Sequence, residues 1–384
     1  MDEFEIEVYH DTTGLVRTNS KMYEGNTNIG LRREQEDRMV LCPRFDPAGQ
    51  SSLCCVFDGT CGDHASDFAQ KNFMKYLLQD QDFVKLVQTA PEVHHHQDEV
   101  LETLTGAFRS AFLCTDAALI EQCHQNKHHY TASTGVSAFF FQNLLTIAHV
   151  GDSRACIARI SSDGTTLDCE MLTSCHKANQ PAELRRIKSQ GGSLVYLHGD
   201  KPYLRGGDFH ARQRTGERPK QLNYSRAFGG KDLKMYGLSV EPDISHLEVK
   251  SCDRLVLVGS DGLFDVMTPF EASWVALEAF AAGLSPCDEV VKRAISQMPA
   301  CNVRDNITVI AIYLNVDANF DEFISSRSNT QSPAARVRLS CSSPLSGHAG
   351  SGSEVTGTEC GVTANSSSAV PEQQPSYPET IFRA

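Results

Sequence analysis

Two β-rich apolar runs stand almost end to end in the sequence, residues 134–141 (TGVSAFFF) and 144–149 (LLTIAH), with only Gln142-Asn143 between them. A connection that short joins strands as an antiparallel hairpin, because a parallel pair needs a crossover of a dozen residues or more. The following runs keep this order. Residues 153–160 (SRACIARI) and 166–172 (TLDCEML) continue a meander, and 193–197, 244–249, 254–259 and 306–314 add strands; 4–9, 37–42 and 53–58 precede them. Helical spacing marks 65–79, which opens after Asp63 as a candidate N-cap, then 182–189, 269–281 and 286–297. It also marks 99–123, where Val100, Leu104, Ala107, Phe108, Ala111 and Phe112 share one face. Strands that succeed one another instead of alternating with helices predict an α+β fold, with antiparallel sheets covered by helices and no doubly wound parallel sheet.

Of the 384 residues, 40% are hydrophobic and 22% charged, enough for a sizeable core. Composition shifts after Phe323, where Ser, Thr, Gly and Pro take over and apolar periodicity ends. Three segments are expected: an N-terminal strand segment (1–21) packing on the main domain, the main domain (22–320), and a disordered tail (321–384), with a partner-docking peptide as the tail's alternative. The net charge of −13 disfavours nucleic acid and anionic membranes as partners. No apolar stretch approaches the ~20 residues of a membrane span. The start, MDEFEIEVYH, lacks a signal-peptide pattern, and the 14 cysteines contain no CxxC pair. Free thiols in a reducing compartment are expected, the cytoplasm first and the nucleus as the alternative. Two His-bearing stretches, 89–100 (His94, His95, His96) and 124–133 (His128, His129), read as solvated loops; 198–220 reads as a strand-poor polar flap.

Three segments place an Asp at a strand end: CCVFDG (Asp58), LVLVGSDGLFD (Asp261) and, just before its strand, NVRDNITVIAIYL (Asp305). Any one of them fits an ordinary turn. Three at one rim, with few basic neighbours, call for a cation, and all-oxygen ligands favour Mg²⁺ or Mn²⁺ over zinc. Two such ions sharing a carboxylate and a water provide a hydroxide nucleophile, a chemistry suited to phosphate esters. Arg32 in LRREQEDRM is the candidate phosphate grip, followed by Glu36 and Asp37, although RREQED alone reads as a surface charge run. The sequence has neither a Walker loop nor a cysteine-phosphatase loop.

Nine stretches, in order, resemble the metal-dependent protein phosphatases, the type 2C serine/threonine family: LRREQED, VFDGTCGDHAS, ASTGVSAFF, AHVGDSRACIA, MLTSCHKANQPAELRRIKSQGG, LNYSRAFGGKDLK, VEPDI, VLVGSDGLFDVM and RDNITVI. The resemblance spans about residues 28–314 and implies an αββα sandwich acting on phosphoproteins. It also implies roles. Asp58 would bridge two Mg²⁺ or Mn²⁺ ions, Gly59 would offer its carbonyl, and Asp261 and Asp305 would complete the direct ligands. Glu36 and Asp37 would act through water, and Arg32 would bind phosphate. VGDSRA (150–155) and SRAFG (225–229) resemble structural turns outside catalysis. A monomer is expected.

Three departures stand out against the family pattern. Thr60 occupies the catalytic position of the histidine in Asp-Gly-His-Gly-Gly, and a hydroxyl does not titrate near neutrality. Cys175 stands where the family commonly has an Asp bound to a third metal, a poor ligand for a hard cation, which puts that third site in doubt. Gly230 stands where Asp is usual. His64 and His176 lie near site motifs, but His64 is expected on a helix turn facing away. Two functions remain: a metal-dependent phosphatase, slowed by loss of the general acid, or a binding module without catalysis.

Overall fold

In a computed structural model of the chain, which describes residues 6–18, 21–46, 48–88, 96–161, 166–197 and 199–315, strand Ser51–Phe57 is buried on both faces. Cys54 and Val56 join one apolar cluster; Leu53, Cys55 and Phe57 join another. A strand apolar on both sides needs a layer on each. On one side lies a second sheet; on the other lie helices His64–Leu77, Gln81–Gln88 and Gln97–Gln125.

The first sheet runs Asp243–Glu248, Leu144–Val150, Gly135–Phe141, Ser51–Phe57, Arg38–Cys42. The second runs Thr13–Arg17, Lys21–Asn28, Ile307–Leu314, Asp253–Gly259, Arg154–Ile160, Leu167–Met171. Every pair is antiparallel. Between the sheets, Val56, Val136, Phe140 and Ile147 meet Tyr23, Ile157, Val256, Val258 and Ile310. Helices Pro269–Ala281 and Pro286–Cys301 cover the outer face of the second sheet. The result is an αββα sandwich. The hairpin at Gln142-Asn143 closes with Phe141 opposite Leu144 and Gln142 in the left-handed region (φ 54°).

Several expectations need correction. Within residues 6–9 there is only an isolated bridge, Tyr9 to Leu41, and residues 1–5 lie outside the described residues. The edge is built instead by Thr13–Arg17 and Lys21–Asn28. The second of these, KMYEGNTN, reads as polar, yet Glu24 is buried and accepts the Cys287 N–H (3.1 Å) at a helix start. The 198–220 segment is not strand-poor: Lys201–Arg205 pairs with Ser193–Leu197, and Phe209–Arg214 is helical. Asp63 precedes its helix without a side-chain cap and pairs with Arg38 (2.5 Å) instead. Gly230 has φ 61°, and a Cβ there would sit 2.4 Å from Leu238 Cδ2, which accounts for glycine at this position. The 321–384 tail, and His94 and His95, lie outside the described residues. Among the described residues the cysteines are free thiols, and no helix is long and apolar enough to cross a membrane.

Candidate active site

Strand register carries the acidic residues to one rim. Arg38 lies opposite Phe57, so Asp37 and Asp58 project beyond the same end of the first sheet. In the second sheet Gly259 faces Val309 on one side and Arg154 on the other, which brings Asp261, Asp305 and Asp152 past one end. The rims are tied together by Thr308 Oγ1, which donates to Asp37 Oδ2 at 2.9 Å. Asn306 clamps the preceding loop: its Oδ1 accepts the Glu36 N–H and its Nδ2 donates to the carbonyls of Ile29 and Glu34, all at 2.9 Å. That loop holds Arg32, whose Nη2 reaches both carboxylate oxygens of Asp305 (2.9 and 3.1 Å) while Nε donates to the Arg304 carbonyl (2.6 Å). The Arg32 side chain stays 47% exposed, so it lies open to a ligand at the mouth of the site. Glu36 Oε1 accepts the Gly62 N–H at 2.6 Å. Gly59 is buried and pairs with Ser133.

Asp152 was missed. VGDSRA resembles a structural turn, but Asp152 is 1% exposed, is held by Lys177, and faces Asp58 and Asp261. Its signal was present: it too stands at the end of an apolar strand, as Asp58 and Asp261 do.

Burial raises the pKa of Asp58, Asp261, Asp37 and Asp305. Repulsion adds to it. Asp58 feels Asp261, Asp37, Asp305 and Asp152; Asp261 feels Asp152, Asp305 and Asp265. Asp37 is pushed up to about 7. So many carboxylates around one cleft, with Lys177, Arg32 and Arg154 among the cations beside them, are a donor set suited to hard divalent cations.

Residues 22–303 match the family described as protein phosphatase 2C. The chain belongs to the protein phosphatase 2C family. "Probable protein phosphatase 2C 22" of Arabidopsis thaliana is 28% identical over 302 residues, covering 75% of this chain and 67% of the relative. "Probable protein phosphatase 2C 57" of Oryza sativa subsp. japonica is 28% identical over 311 residues, covering 76% and 72%. Among solved structures, a serine-threonine phosphatase 2C from Toxoplasma gondii superposes with a TM-score of 0.77 at 34% identity, over 81% of this chain and all (100%) of that one.

Within this phosphatase 2C frame, the histidines near the site are engaged with other partners. His176 stacks on His149 (centroids 4.7 Å apart); its Nδ1 accepts the Gly151 N–H (3.0 Å) and its Nε2 meets Asp243 Oδ2 (3.1 Å). Burial and the neighbouring His149 and Arg226 lower its pKa to about 4. Both ring nitrogens of His176 are thus engaged within this His149–His176–Asp243 group. His64 begins its helix with its ring edge against His128 (4.3 Å), and burial lowers its pKa. His129 turns instead to Asp232 (3.0 Å). Thr60 is half-buried and accepts a hydrogen bond from the Tyr224 hydroxyl at 2.8 Å. Cys175 lies against Arg154 and Asp152, its thiol pKa raised by burial.

The raised pKa values fix how the phosphatase fold responds to pH without metal. A carboxyl whose folded pKa exceeds its unfolded one favours the native state only while protonated. The metal-free protein should therefore lose stability as pH rises from about 4, the unfolded value, through about 7, where Asp37 ionises. Mn²⁺ at about 100 times its Kd should return ~2.7 kcal/mol at pH 7.5, a rise in Tm of about 5 °C. Thermal unfolding across pH with chelator and with Mn²⁺ measures both; a chelated protein that gains stability toward pH 8 contradicts the expectation.

Proposed function

We propose that this chain hydrolyses phosphoserine and phosphothreonine in proteins with two Mg²⁺ or Mn²⁺ ions held at this rim. The observation that carries the reading is the convergence of Asp37, Asp58, Asp152, Asp261 and Asp305 beside an exposed Arg32. Asp58, with acidic neighbours from both sheets, would be the shared ligand. The Gly59 carbonyl, Asp261 and Asp305 would complete the direct set, and Glu36 and Asp37 would act through water. Cys175 adds no third site, since a half-buried soft thiol suits a hard cation poorly. Two divalent cations, when bound, offset phosphoryl charge and make a water nucleophilic at neutral pH. Arg32, exposed at the mouth, grips the phosphoryl oxygens. Lys177 holds Asp152 in place.

Arg32 gives the test. Arg32→Ala should raise KM for a phosphothreonine peptide about 10- to 100-fold, the value of a charge-assisted contact, and weaken inhibition by inorganic phosphate in parallel. Steady-state kinetics with phosphate as inhibitor decides this. An unchanged KM and unchanged phosphate inhibition would remove Arg32 from the site.

A further inference from the structure

A three-stranded ladder brings two distant segments together. Gly59–Thr60 pairs with Ala132–Ser133, which pairs on its other edge with Phe228–Gly229. The chain just before Phe228 is thereby carried to the rim, and Tyr224 arrives beside Thr60. It is well anchored there. The neighbouring Ser225 N–H donates to the His176 carbonyl (2.9 Å), Arg226 pairs with Glu183 (2.8 Å), and Asn223 Nδ2 reaches Asp152 Oδ2 (3.4 Å). Tyr224 is 2% exposed, and Asp58 and Asp152 are its acidic neighbours. A phenol titrates near ~10, so Tyr224 is neutral at physiological pH and its hydroxyl keeps its hydrogen.

A threonine hydroxyl has one hydrogen and two lone pairs, and its rotor is free unless something fixes it. Here the Tyr224 hydroxyl donates to Thr60 Oγ1 at 2.8 Å. The side of Oγ1 that receives this hydrogen bond cannot also carry the Thr60 hydrogen, so that hydrogen is turned away from Tyr224. We propose that Tyr224 is a positioning residue: it fixes the Thr60 hydroxyl as a hydrogen-bond donor to the leaving-group oxygen of a phosphoserine or phosphothreonine ester. This deepens the phosphatase reading and rests on it.

In hydrolysis the water oxygen forms a bond to phosphorus, and the bond from phosphorus to the alcohol oxygen breaks with its electron pair on that oxygen. The hydrogen lost by the attacking water ends on the alcohol through solvent exchange. Thr60 keeps its own hydrogen throughout. Its hydrogen bond strengthens as charge grows on the departing oxygen, and so favours the transition state over the bound ester. The gain is large for an alkyl leaving group, which carries nearly a full charge, and small for an aryl one, which delocalises it.

The test compares wild type, Tyr224→Phe, Thr60→Val and the double variant on a phosphothreonine peptide and on p-nitrophenyl phosphate, all with Mn²⁺. Tyr224→Phe removes one oxygen and keeps the ring that fills the site. The expected result is a kcat on the peptide that falls about tenfold further than kcat on the aryl ester, with little change in KM. Thr60→Val should shift the ratio in the same direction, the double variant should add little to it, and Thr60→Ser should retain the wild-type ratio. Equal losses on both substrates, or additive losses in the double variant, would mean that Tyr224 is only structural and overturn the proposal. So would an unchanged peptide rate in Tyr224→Phe while wild type is active, with the phosphatase reading left standing. A folded wild type inert toward both substrates overturns both.

Discussion

Asp261→Asn is expected to lower phosphate release from a phosphothreonine peptide by about a thousandfold, equal to ~4 kcal/mol of transition-state stabilisation. Asp261 opens the short helix Asp261–Phe264 directly after strand Asp253–Gly259, so its carboxylate stands where the second sheet delivers Asp152 and Asp305. An amide keeps the shape and loses the charge. The same substitution relieves repulsion among buried carboxylates whose pKa values are raised. Chelated Asp261→Asn should then be more stable than chelated wild type at pH 8, and Mn²⁺ should stabilise it far less. Loss of activity together with gain of metal-free stability separates a broken metal site from a broken fold. Kinetics with Mn²⁺ and thermal unfolding with chelator measure the two halves. Activity within tenfold of wild type would exclude Asp261 as a ligand.

Gly262→Ala should damage both stability and the site. A Cβ at this position would lie 1.9 Å from the Asn306 carbonyl oxygen and 3.1 Å from Asp305 Cβ. The nearest obstacle is backbone, which does not swing aside as a flexible side chain would. Accommodation has to move either the Asp261 helix or the 305–306 segment, and both carry site carboxylates. A loss of about 3 kcal/mol in urea unfolding is expected. With Asp261 and Asp305 spread, Mn²⁺ affinity should fall about 10- to 100-fold. A variant with wild-type stability and wild-type Mn²⁺ affinity would show that these two segments are not locked together.

Much of the fold was legible because its strands are buried on both faces, and apolar runs such as VSAFFF and LVLVG have few other uses. Lys21–Asn28 escaped because its stabilising contacts are distant: Glu24 is satisfied by a helix start more than 250 residues along the chain. Lys201–Arg205 escaped because its segment is polar, and only pairing with Ser193–Leu197 gives it strand form. At the site, Asp58, Asp261 and Asp305 were readable from their place at strand ends. Asp152 obeyed the same rule and was set aside as a turn. Tyr224 left no local signal, since its meeting with Thr60 depends on a ladder joining residues 59, 132 and 228. Local pattern reveals which residues end strands; register alone reveals which ends meet.

On the proposed reading, the acidic rim makes this chain a metal-dependent phosphatase despite Thr60. Its most direct test is phosphate release from a phosphothreonine peptide by the full chain, measured with Mn²⁺, after chelation, and after Mn²⁺ is restored. Release with Mn²⁺, none after chelation, and recovery on restoration are expected. A folded protein that binds Mn²⁺ yet releases phosphate from neither the peptide nor p-nitrophenyl phosphate would contradict it.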